Sequence, residues 1–140
     1  MGFQREAKLG ALKIDANLEQ AAGSYQQTGK YKEFAEQGAK IQRLVGDEAR
    51  AKELTQVFEK QGYQGYLRND AKYNEGIGDY SSAAADHAML FEKDAAFAAL
   101  ERAFRARSGD FLTLKVNPSF DGIRSDPRFA DLLHRIGLPQ

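Results

Sequence analysis

Cysteine is absent from this 140-residue chain, which excludes disulfides, thiolate nucleophiles and thiolate zinc sites together and is compatible with a reducing compartment. Histidine is nearly absent: His87 and His134 are the only two, 47 residues apart on different expected helices, so neither a metal pair nor a zinc motif forms and no metal or other cofactor is expected. No run of about 18 apolar residues occurs. The opening residues from Met1 to Glu6 lack the apolar stretch of a signal peptide. Neither membrane insertion nor secretion is indicated, and the cytoplasm is the expected compartment. Charge of one sign is missing as well: 20 Lys and Arg face 20 Asp and Glu, divided evenly between the halves, which leaves no field to hold nucleic acid directly. β-Branched residues are sparse and no period-two run reaches strand length, which argues against sheet structure.

What is present suits one folded domain spanning residues 1–140. Hydrophobic residues make up 42% and charged residues 29%, close to ordinary globular usage. Apolar residues recur at helical spacing almost throughout, so the fold class is all-α. Leu18, Ala21, Ala22 and Tyr25 share one face of a helix from about Ile14 to Gln27, which Gly29 ends. Tyr31, Phe34, Ile41 and Leu44 mark a second helix, closed by Gly46, with Asp47 as the next N-cap. Ala51, Leu54, Val57 and Phe58 lie on a third, stopped by Gly62. Tyr63, Tyr66, Leu67 and Tyr73 continue to about Glu75 before the Gly76, Gly78 and Asp79 turn. Ala83, Ala84, Ala88, Met89 and Leu90 follow. Beyond Glu92, Phe97, Leu100, Ala103 and Phe104 form the last long stripe. Helices this short, joined by turns of two or three residues, must pack as antiparallel neighbours. The pattern therefore predicts three helical hairpins, 14–44, 47–75 and 79–107, and a cap over 108–140.

The tail has its own local logic. Asn117 before Pro118 and Asp126 before Pro127 each place an N-cap ahead of a proline at the first helical position, the arrangement that starts a helix cleanly. Phe129, Leu132, Leu133 and Ile136 then fall on one stripe before Gly137 and Pro139 end it. Such a stripe should seal the open end of a stacked array.

Catalytic patterns are missing. No serine, among Ser24, Ser81, Ser82, Ser108, Ser119 and Ser125, lies in the glycine-flanked turn that exposes a nucleophile. Asp121, Asp126 and Asp131 are spaced by five, which does not stack them on one helical face; Asp126 reads as a cap and the others as solvated charge. The Gly76-Ile77-Gly78 run lacks the strand and the Gly-Lys-Ser/Thr of a phosphate loop. No enzymatic activity is expected. Arg102, Arg105, Arg107, Lys115, Arg124 and Arg128 form either a basic patch for an acidic partner or, more simply, helix-end cations that answer the dipole and nearby carboxylates.

Turn glycines Gly29 and Gly62 stand 33 apart, against the period of about 34 residues of tetratricopeptide repeats. Leu18, Ala21, Ala22, Tyr25, Gly29 and Tyr31 match that repeat's small, aromatic and turn positions. The stretch from Phe97 to Pro139, with Leu114, Lys115, Val116, Asn117, Pro118, Phe120 and Arg124 to Phe129, resembles the C-terminal end of bacterial tetratricopeptide proteins, some of them fused behind winged-helix regulators or signalling kinases and cyclases. The resemblance implies an α-α superhelix with short C-terminal capping helices. Two departures stand out: Phe34 occupies a small-residue position and Gly38 a large one, and the next turn, at Phe91, comes only 29 residues after Gly62.

The resemblance also implies a function, a scaffold that binds a peptide or helix of a partner protein in a concave groove lined by the first helices of the hairpins. That lining falls on Glu19, Gly23, Gln26, Gln27, Lys52, Gln56, Glu59, Lys60, Ser81, Ala85 and Met89. A clamp for acidic chaperone tails would need Lys and Asn at several of these places, and only Lys52 fits. His87 would fill the groove in place of the usual Tyr. The alternative is an effector-sensing or regulatory module of a larger transcriptional or signalling protein. The stretch from Gln4 to Leu12 has no hairpin partner, so the N-terminal face is open to self-association and a homodimer is compatible with the pattern.

Overall fold

The computed structural model describes residues 30–107, 111 and 114–137. The chain is all-helical, with no strand among the described residues, and no described helix is long and apolar enough to cross a membrane. Among the described residues five α-helices run in order, α1 (Tyr31–Leu44), α2 (Glu48–Gly76), α3 (Tyr80–Met89), α4 (Lys93–Ala106) and α5 (Pro127–Arg135), with a 3-10 helix over Pro118–Ile123 between the last two. The expected helix from Ile14 to Gln27, the Gln4 to Leu12 stretch and Gly29 lie outside the described residues.

Three helix ends are built alike. At the end of α1 the Gly46 N–H donates to the Arg43 carbonyl and the Asp47 N–H to the Gln42 carbonyl, with Gly46 at φ 84°. The α2 end repeats this through Gly78 and Asp79, and the α3 end through Phe91 and Glu92. This paired bond around a left-handed residue is the Schellman stop. In the first two cases the following residue caps the next helix: the Asp47 carboxylate accepts from the Arg50 N–H at 3.0 Å and Asp79 from the Ser82 N–H at 3.2 Å. Stop and start share two residues, so each helix turns back at once.

Helix α2 is itself a hairpin. Its Gly62 sits at φ 73° and ψ −165°, a region open essentially to glycine alone. Arg50 and Asp70 lie 20 residues apart, which a straight helix would separate by about 30 Å, yet their side chains are 3.1 Å apart. The chain therefore reverses at Gly62, and 48–61 packs on 63–76. The short interval to the next turn is located in α3, which has only 10 residues.

Two cores result. The first gathers Phe34, Ala35, Leu54, Tyr66, Leu67 and Met89, with Phe58, Tyr63 and Leu90 against it. Phe34 meets Tyr63 and Tyr66 edge to face, with ring centroids 5.5 and 5.3 Å away. A Cβ added at Gly38 would collide with the Tyr66 hydroxyl. The large Phe34 and the small Gly38 thus compensate each other, the volume missing at Gly38 being filled by Tyr66 beneath Phe34. The second core is a seam of alanines from α3 and α4, closed by Leu114, Phe120, Ile123, Phe129, Leu132 and Leu133 of the tail. Both proline starts form as expected: Asn117 accepts from the Ser119 N–H and Asp126 from the Arg128 N–H, each at 2.9 Å.

Candidate functional site

Four of the expected groove residues share one surface. Lys52, Gln56, Glu59 and Lys60 are all exposed on the 48–61 half of α2, at the i, i+4, i+7 and i+8 spacing that aligns them in one stripe. Ser81 is half-buried, and its hydroxyl lies 3.4 Å from the Asp79 capping carboxylate. Ala85 and Met89 are buried, each 4% exposed, and the Tyr63 hydroxyl donates to the Met89 sulfur at 3.7 Å. Met89 is therefore a core residue and not a lining one. The reason is tertiary: α3 packs against α2, α4 and the 3-10 helix, so a ten-residue helix has little face left for solvent. Glu19, Gly23, Gln26 and Gln27 lie outside the described residues.

Beside this stripe the hairpin encloses a polar network that periodicity did not reveal. The Arg50 side chain is 3% exposed. It donates to Asn69 through Nη1 and to Asp70 through Nη2, and its guanidinium stacks 4.0 Å from the Tyr73 ring centroid. Asn74, 1% exposed, donates at 3.1 Å to both Asp70 and Asp86. Burial first, and the neighbouring Asp70 charge second, push the Asp86 carboxyl well above the usual carboxylate range. A buried carboxyl beside a second carboxylate favours its neutral form, so Asp86 is the member of the pair that holds a proton. Among the described residues the Arg50 Nε and the Asn74 Oδ1 remain buried without a hydrogen-bond partner. A signal existed in the sequence: Asp86 is the lone acid in YSSAAADHAM, a helix whose other inward residues are small and apolar.

His87, read as a groove filler, instead joins two carboxylates. Its Nε2 is 2.6 Å from Glu75 and its Nδ1 2.8 Å from Glu92, so only the doubly protonated ring donates to both. Burial opposes that charge, but the hydrogen bonds to Glu75 and Glu92 outweigh it and raise the pKa above 6.5. The ring ties the end of α2 to the α3–α4 turn. His134 is exposed in the last turn of α5, beside Arg135.

The six cations of the sequence patch are dispersed by the fold. Arg124 bonds the Asn117 carbonyl at 2.7 Å and Asp121 at 2.8 Å. Arg128 bridges Asp126 and Asp94 and stacks 4.4 Å from the Phe97 ring. Arg102 lies over the Tyr80 ring at 4.7 Å, and not on Glu101, which pairs with Arg135. Asp121 and Asp131, read as solvated charge, are ion-paired with Arg124 and Arg135. Only Arg105 and Arg107 are left to line a common cleft.

No protein-family model, no curated protein and no solved structure matches this chain.

Proposed function

We propose that the chain is a tetratricopeptide-type repeat array, capped at its C-terminal end, that works in the cytoplasm as a scaffold and binds a peptide or helix of a partner protein along the Lys52, Gln56, Glu59 and Lys60 stripe. One observation carries the reading. These four polar side chains are exposed on a helix anchored by its opposite face, and none makes a hydrogen bond or ion pair among the described residues. Uncommitted donors and acceptors on a rigid helical surface suit recognition of a peptide backbone and its polar side chains. Binding rather than catalysis is favoured because the group with the most displaced carboxyl pKa, Asp86, is sealed at 4% exposure, where no substrate atom can reach it.

Affinity capture from the native cell, with the Gln56→Ala/Lys60→Ala variant as control, tests this. The scaffold reading expects a defined protein that the variant fails to retain. Should a small metabolite alone raise the melting temperature while no protein is captured, the chain is instead an effector-sensing module.

A further inference from the structure

At the other end of the molecule the last turns of α4 and α5, together with Phe111, line an open cleft of ≈ 580 Å³ formed by Phe104, Arg105, Arg107, Phe111, Arg135 and Ile136. We propose that this cleft is a second binding site, separate from the α2 stripe, for an acidic peptide segment of a partner protein that carries an aromatic side chain.

The floor is apolar and firm. Phe104 and Phe111 meet edge to face at 6.2 Å and 82°, and with Ile136 they rest on the alanine-rich core. Such an angled ring pair offers a third aromatic ring both a face and an edge. The rim carries three guanidinium groups of unequal standing. Arg135 is fixed, because Glu101 and Asp131 hold it and its guanidinium lies 5.7 Å from the Phe104 ring centroid. Its charge is answered, so it serves as a planar wall. Arg105 hydrogen-bonds only the Glu101 carbonyl, at 3.4 Å, and its charge also acts on the Glu101 carboxylate without pairing with it. Arg107 ends α4 in the left-handed region at φ 52°, and its side chain has no partner among the described residues. Neither Arg105 nor Arg107 has a carboxylate at ion-pair distance among the described residues.

The charge balance selects the ligand. The carbonyl ends of two helices meet here, each equivalent to about half a negative charge, and they offset part of the Arg105 and Arg107 field. A free anion gains little from so moderate a field. A ligand that buries an aromatic ring against Phe104 and Phe111 while presenting carboxylates to the Arg105 and Arg107 guanidinium groups gains from both, since Arg binds carboxylate through paired donors. The volume lies within the range of about 300–1,000 Å³ usual for small sites, enough for one aromatic side chain and its flanking backbone.

Fluorescence anisotropy with the fluorescein-labelled hexapeptide Asp-Glu-Phe-Leu-Glu-Asp, on the full chain, tests the proposal. Saturable binding is expected, at least about tenfold weaker for the Asn-Gln-Phe-Leu-Gln-Asn counterpart and weaker as salt rises from about 50 to about 300 mM. The Arg105→Ala/Arg107→Ala variant should lose at least about tenfold in affinity at an unchanged melting temperature. Gln56→Ala/Lys60→Ala should bind the peptide normally, which separates this site from the α2 stripe. Equal binding of both peptides, an unaffected arginine variant, or no binding up to about 1 mM overturns the proposal. So does inorganic phosphate displacing the peptide at concentrations that leave ionic strength unchanged. A dimer in sedimentation that the arginine variant dissolves would assign the cleft to a second copy of this chain instead.

Discussion

Around α1 and α2 the polar and charged groups that matter lie inside or at the edge of the core: Arg50, Asn74 and Asp86 are buried and joined through the part-exposed Asp70, next to an aromatic cluster of Phe34, Tyr63 and Tyr66. Around α4, the 3-10 helix and α5 they stay outside. There Arg124, Arg128 and Arg135 each pair with a carboxylate at the rim while stacking over Phe129, Phe97 and Phe104. The two arrangements place stability in different terms. A buried ion pair gives back in attraction most of what desolvation costs, so its removal as a whole changes little, but loss of one partner strands a charge. Exposed pairs are worth little singly, so the C-terminal cap depends on the apolar side chains beneath its arginines.

The largest expected effect breaks the inner arrangement. Arg50→Ala leaves Asp70 without its cationic partner and the Asn69 carbonyl without its donor and should cost about 3–5 kcal/mol, read by urea denaturation. Leu132→Ala, in the cap at 1% exposure, should cost about 2–4 kcal/mol by cavity formation. If the outer ion pairs carried the cap instead, this substitution would fall well below that range. Asp79→Ala removes the side chain that caps α3 and should cost about 1 kcal/mol.

Acid and base should separate the two regions further. The Asp86 pKa is raised by burial and then by Asp70, so its contribution is full below its ordinary value of 3.8 and is lost as pH rises toward the folded value. That of His87, raised above 6.5, is full below 6.5 and lost above it as the ring deprotonates. The cap behaves oppositely. Asp126 is held down to about 2 by its hydrogen bonds with Arg128, and Glu101 is lowered by its hydrogen bond with Arg135. Their contributions are full above the ordinary carboxylate range and lost as pH falls through the folded values. Melting temperatures followed from about pH 3 to 9 should decline at the basic end in the native chain and decline less in His87→Gln. Asp86→Asn, which keeps an acceptor for Asn74 and cannot ionise, should flatten the curve from about pH 4 upward. The smallest effect belongs to the α2 stripe: Lys52→Ala/Gln56→Ala should change stability by no more than about 0.5 kcal/mol.

Much of this architecture was readable from short stretches. Gly46, Gly62 and Gly78 fall at the turns, and Asp47, Asp79, Asn117 and Asp126 at helix starts. The turn at Phe91 was placed only by its correspondence with Gly62, because a phenylalanine carries no local stop signal. A phenylalanine at φ 60° is uncommon, and its ring lies against Gly122, where an added Cβ would meet it at 2.9 Å. The expectation that Met89 lines a groove came from the repeat resemblance, which does not say how many neighbours its helix has. The Asp70, Asn74 and Asp86 network escaped because each residue is unremarkable within its own helix.

Sequence alone determined where helices begin and end, because a cap or a left-handed turn involves only residues within one turn of each other. The all-helical class followed from the same local periodicity. Only the tertiary structure decided which polar groups lost their water. The Asn74 to Asp86 bond spans 12 residues and the Arg128 to Asp94 pair spans 34, and whether such groups meet in a dry interior or at a wet rim depends on packing between helices, which no local pattern encodes.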